Sequence, residues 1–208
     1  MKSSSIKNKR GGSGFTLIEL IVVIAIFGVI TSVALFNQGK LNSSILITNL
    51  AYEIALTVRE AENYGVGVRA ATGGNFSGGF GVNFNISTPD TVTLFNDKNN
   101  DNAYTADETS SQLIIQNQRG NKITAICLGA LPSPAGKCLP GTSNALNYLN
   151  IVYKRPNPEP IFDIGAPGGS PGPAYIVVNT PSGDNCKVIV VEASGQVRVN
   201  SSDSSICN

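Results

Sequence analysis

The segment from Phe15 to Phe36, FTLIELIVVIAIFGVITSVALF, is apolar except at Thr16, Glu19, Gly28, Thr31 and Ser32. About 20 such residues cross the hydrocarbon core of a bilayer as a helix. With 208 residues, 41% of them hydrophobic and only 14% charged, the chain reads as one membrane anchor plus one modest globular domain. The fourteen residues ahead of the run, MKSSSIKNKRGGSG, carry Lys2, Lys7, Lys9 and Arg10 and no acid. That bias holds a leader on the cytoplasmic side, so the remainder is expected outside. A secretory signal peptide has a shorter apolar core and ends in a small-residue cleavage site. Here NQGKLNSSILITNLAYEIALTV follows and continues a helical pattern, so no cut is expected after the run.

Two residues of the segment need a chemical reason. Gly14 has no side chain to obstruct a peptidase that needs an extended, unhindered backbone. Glu19 places a carboxylate in an apolar helix, which costs about 2.5–3.5 kcal/mol or more deep in a membrane and normally requires a partner. The plainer reading sets Glu19 in the headgroup zone near a helix N-terminus, where its charge is favourable.

GFTLIELIVVIAIFGVI resembles the class III signal of type IV pilins and type II secretion pseudopilins. The resemblance implies that prepilin peptidase cuts between Gly14 and Phe15, leaving Phe15 as an N-methylated terminus. It also implies that Glu19 pairs with the first-residue amine of a neighbouring subunit as an inner-membrane platform assembles the filament. The implied location is a single pass of the cytoplasmic membrane with the head outside, then an extracellular or periplasmic filament. Type IV pilins often carry a proline where this chain has Phe36, which departs from the major-pilin pattern.

Past the anchor, Ile47, Leu50, Ala51, Ile54, Val58 and Ala61 recur at three- and four-residue steps, the stripe of a helix packed on a core. Gly65 and Gly67 should end that helix near Tyr64. Short β-branched runs follow at 78–86, 91–95, 112–116, 122–128, 149–154, 174–179, 186–192 and 196–200, the last two forming a hairpin around Ala193–Gly195. Residues 155–173 are so rich in Pro and Gly that they read as a surface loop. The expected fold is α+β: a leader at 1–14, a long helix at 15–64 and a small antiparallel β-rich head at 65–208. LTVREAENYGV, TLFNDKNNDNAYTADE and VIVVEASGQVRV resemble the H-type minor pseudopilins and FimT-like minor pilins.

Some FimT-like pilins bind DNA through Gly-Arg-x-Arg, which here reads Gly195-Gln196-Val197-Arg198 with one arginine missing. After Gly14 the chain keeps eleven basic residues against fourteen acids, which argues against attraction to phosphate and hence against nucleic acid as a partner. Cys127, Cys138, Cys186 and Cys207 all lie in the part expected outside, where disulfides form. Of three connectivities, Cys127–Cys138 with Cys186–Cys207 is preferred, since each closes a local loop. Zinc is disfavoured because there is no C-x-x-C and no histidine. The lack of histidine also removes Ser-His and Cys-His dyads, and Gly73–Gly81 lacks the lysine of a phosphate loop, so no enzyme is expected.

DKNNDNAYTADE, residues 97–108, spaces oxygen donors as a twelve-residue calcium loop does. Its slots hold Asp97, Asn99, Asp101, the Ala103 carbonyl, Thr105 and Glu108, with Asn102 where such a loop prefers glycine. The plainer reading is a solvated Asn/Asp turn. Two functional classes therefore stand: a polymerising filament subunit, or a membrane-anchored calcium- or ligand-binding module that never polymerises. A DNA-binding minor pilin is a further alternative.

Overall fold

The computed structural model describes residues 14–67, 78–115, 120–129, 138, 145–165 and 172–201, with 36–42 and 201 described by backbone alone. The chain divides into two compact units, Met1–Leu41 and Asn42–Asn208. The boundary falls within the helix α1, Leu17–Val66.

In the first unit, α1 starts where Thr16 caps it. The Glu19 amide donates to Thr16 Oγ1 at 3.3 Å and the Leu20 amide to the Thr16 carbonyl at 3.2 Å. The span Leu17–Leu35 has a mean hydropathy of 2.7 and none of it is buried within the chain. Its few hydroxyls are satisfied inside the helix: Thr31 Oγ1 donates to the Phe27 carbonyl at 2.8 Å and Ser32 Oγ to the Gly28 carbonyl at 2.7 Å. Where no water reaches, a polar group must find its partner internally in this way.

In the second unit, the remainder of α1 packs on two sheets. The six residues of the expected stripe, Ile47, Leu50, Ala51, Ile54, Val58 and Ala61, are all fully buried. Burying the larger ones stabilises the fold by about 1.5–3 kcal/mol each. The strands are β1 Gly79–Asn85, β2 Thr91–Asp97, β3 Thr109–Ile114, β4 Lys122–Leu128, β5 Tyr148–Lys154, β6 Asn157–Asp163, β7 Ala174–Asn179, β8 Cys186–Val191 and β9 Val197–Ser201, with a 3₁₀ turn at Ala106–Glu108 before β3. One sheet has the order β3-β2-β1-β5-β6 and the other β4-β7-β8-β9. Neighbouring strands within each are antiparallel. Val82, Phe84, Leu94 and Ile151 of the first sheet and Ile126, Ile176, Val178 and Ile189 of the second share one apolar cluster with the helix stripe. The fold is α+β.

One expectation fails. Residues 157–163 of the presumed loop 155–173 form the edge strand β6, paired with β5 from Asn150↔Asp163 to Lys154↔Asn157. Pro158 and Pro160 are compatible with a strand because an edge needs amide donors on one side only. Residues 166–171 of that stretch lie outside the described residues. The hairpin expected around Ala193–Gly195 is present: the Gly195 amide donates to the Glu192 carbonyl at 2.9 Å, and Gly195 has φ +86°.

Candidate functional site

The N-terminal segment presents an open peptide followed by a capped helix. A Cβ built on Gly14 meets none of the described residues within 4 Å, and Phe15 is 82% exposed. Thr16 and Glu19 stand at the N-cap and third helical positions, so Thr-Leu-Ile-Glu doubles as a helix start signal. Glu19 is exposed, as is every residue from Gly14 to Leu35. Within the single chain this carboxylate therefore lies on the surface of an apolar rod.

The loop after β2 draws together most of the residues expected to take calcium. Asp97, fully buried at the end of β2, accepts the Asp101 amide at Oδ1 (3.1 Å) and the Asn102 amide at Oδ2 (3.0 Å). Asn99 Nδ2 donates to Asp101 Oδ2 at 2.9 Å, while the Ala103 amide donates to Asp101 Oδ1 at 2.8 Å. Glu108, also buried, accepts the Lys98 amide at 2.9 Å, the Thr105 amide at 3.1 Å and the Thr105 hydroxyl at 2.8 Å. Asn102, in the slot that favours glycine, has φ +66°, as does Asn100. The Thr105 hydroxyl above all, then the Asp107 backbone amide and more weakly the charge of Lys98, hold the Asp107 carboxylate below its usual range. The carboxylates nevertheless do not converge: among the described residues no three Asp, Glu, Cys or His side chains are grouped as a metal would need.

Lys154, at the end of β5, escaped the sequence reading. Its Nζ lies 2.8 Å from Asp97 Oδ2 and donates to Asn100 Oδ1 at 2.7 Å. The signal that could have found it is Gly79. Glycine inside a strand marks the close approach of another group, and a Cβ there would stand 2.6 Å from Lys154 Cγ.

Cys127 and Cys138 form a disulfide, as expected. Cys186 is also disulfide-bonded, while its expected partner Cys207 lies outside the described residues. At the turn considered for DNA, Arg198 is held by Glu192, with Nη2 3.0 Å and Nε 3.2 Å from Oε1, and its Nη1 donates to Asn200 at 2.9 Å.

Residues 9–35 match the prokaryotic N-terminal methylation motif. No curated protein and no solved structure matches the chain. The methylation motif marks precursors processed at the N-terminus, and it covers Gly14, Phe15, Glu19 and the exposed apolar span. That N-terminal segment carries the motif of type IV pilin and pseudopilin precursors.

Proposed function

We propose that this protein is a non-enzymatic structural subunit of a type IV pilus or a type II secretion pseudopilus. In this reading prepilin peptidase removes residues 1–14, the anchor leaves the head outside the membrane, and an inner-membrane platform packs the apolar helices into a filament. The observation that carries it is the span Leu17–Leu35, wholly exposed in the single chain and preceded by a processing signal. Such a surface has to be covered by lipid or by other helices. Assembly replaces the first with the second, and Glu19 then meets the amine of a neighbouring Phe15.

The test is Glu19→Ala. A filament subunit should remain in the membrane fraction but disappear from sheared filaments, because a buried amine would lose its counter-charge. A non-polymerising anchor would be indifferent to the change, and unaltered filament recovery would sink the assembly role. Within the family we propose the minor H-type or FimT-like class. Support comes from a helix backed by two small antiparallel sheets and from Phe36 at the usual proline position. Tagged subunits should then label filaments sparsely, whereas labelling along the whole length would indicate a major pilin. The DNA-binding alternative has little support from Arg198, whose guanidinium already holds Glu192. Calcium remains the alternative chemistry for the 97–108 loop, where Asn102 adopts the left-handed turn that a calcium loop requires at its sixth position.

A further inference from the structure

We propose that the 97–108 loop is a cation site whose resident cation is the ammonium of Lys154, so that the loop closes without a metal. The inference does not depend on the filament reading.

The geometry starts in the sheet. Asp97 of β2 stands opposite Gly79 of β1, and on the other side of β1 Tyr153 of β5 stands opposite Phe80. The next rung sets Lys154 beside Gly79. Directly opposed residues of antiparallel strands share a face, so Asp97, Gly79 and Lys154 form one row across three strands. Asp97 and Lys154 are then two strand spacings apart, about 9–10 Å, a gap a lysine can bridge only by lying over the strand between them. Gly79 provides that lane. A Cβ on it would come within 2.6 Å of Lys154 Cγ, 2.8 Å of the Tyr153 carbonyl oxygen and 3.0 Å of Lys154 Cε, so any other residue would lift the stem off the sheet and press on the β5 backbone.

At the far end the ammonium does what a bound cation would do. It neutralises Asp97, whose side chain is 0% exposed, and donates to a second oxygen, Oδ1 of Asn100. Asn100 reaches it from a left-handed conformation, φ +66°. A buried carboxylate without a counter-charge is strongly unfavourable. With the ammonium in place, both Asp97 oxygens are also free to take the Asp101 and Asn102 amides, which fold the loop back on itself. Lys98, the lysine within the loop itself, donates to the Asp107 carbonyl instead. Calcium at Asp97 would meet a like charge and would have to expel it.

The experiment is hydrogen exchange, read by mass spectrometry on the full chain in detergent, with chelator or with millimolar calcium chloride. In the wild type the peptide covering 97–108 should exchange slowly in both buffers. Lys154→Met should speed it about tenfold or more in chelator by local opening, while β7 and β8 keep their protection. Gly79→Ala leaves every charge in place and should open the same peptide by displacing the lysine stem while β5, whose Tyr153 carbonyl the new methyl also meets, stays protected, which keeps the test decisive if Lys154→Met fails to fold. Wild-type protection that appears only with calcium would overturn the proposal. So would unchanged exchange of this peptide in a folded Lys154→Met or Gly79→Ala chain.

Discussion

Gly65, in the last turn of α1, lies directly against Tyr153 of β5: a Cβ built on Gly65 would stand 2.3 Å from the Tyr153 carbonyl oxygen and 2.7 Å from its Cβ. The helix can approach the five-stranded sheet this closely only because position 65 has no side chain, and Tyr64 uses the approach to set its ring edge-on to Phe80, centroids 5.4 Å apart. Gly65→Ala should therefore destabilise the head by about 1–3 kcal/mol, the usual cost of overpacking a filled core. Urea unfolding followed by tyrosine circular dichroism measures it, and an unchanged midpoint would show that the helix end can shift at no cost.

Tyr153 itself makes stability depend on alkaline pH. Burial, and then the negative charge of Glu62, push its hydroxyl well above the ordinary tyrosine value of 10.0. The folded chain thus holds a proton that the unfolded chain releases. The stability linked to it is complete below about pH 10 and is lost as the pH climbs beyond that value. Tyr153→Phe removes the titration together with a buried hydroxyl that has no partner among the described residues. The substituted chain should match or exceed the wild type at pH 8, with the gap widening in its favour above pH 10. Parallel pH profiles for the two chains would contradict the linkage.

The Cys127–Cys138 disulfide closes a loop with a sequence separation of 11, which by chain entropy stabilises the fold by about 2–3 kcal/mol. Replacing both cysteines by serine should lower the urea midpoint accordingly. Peptide mapping without reductant should join Cys127 to Cys138 and Cys186 to Cys207, and any other connectivity would refute the pairing.

Processing is tested at Gly14. Mass spectrometry of membrane-extracted protein should find chains beginning at Phe15. Gly14→Val should leave the leader attached, since a β-branched residue stiffens and crowds the scissile backbone. No described residue crowds Gly14, so a block must arise at the peptidase. Normal cutting of the valine variant would exclude glycine as the requirement.

Features written in nearest neighbours were legible without a structure. The helix stripe from Ile47 to Ala61 follows the 3.6-residue period, and that period alone names which side chains go inward. The apolar span Leu17–Leu35, the methylation motif around it and the short Cys127–Cys138 loop are likewise local patterns, each readable within a few turns of chain. Strand β6 was not, because Pro158 and Pro160 argue against a strand by their own chemistry. Only the position of 157–163 at the sheet edge makes their missing amides harmless. Lys154 belongs to the same class. Nothing near it in sequence points to Asp97, since the pair exists only once β1 lies between β2 and β5 with Gly79 at the crossing. A periodicity reports which face a residue occupies, whereas a partner two strands away is chosen by the order in which the strands assemble.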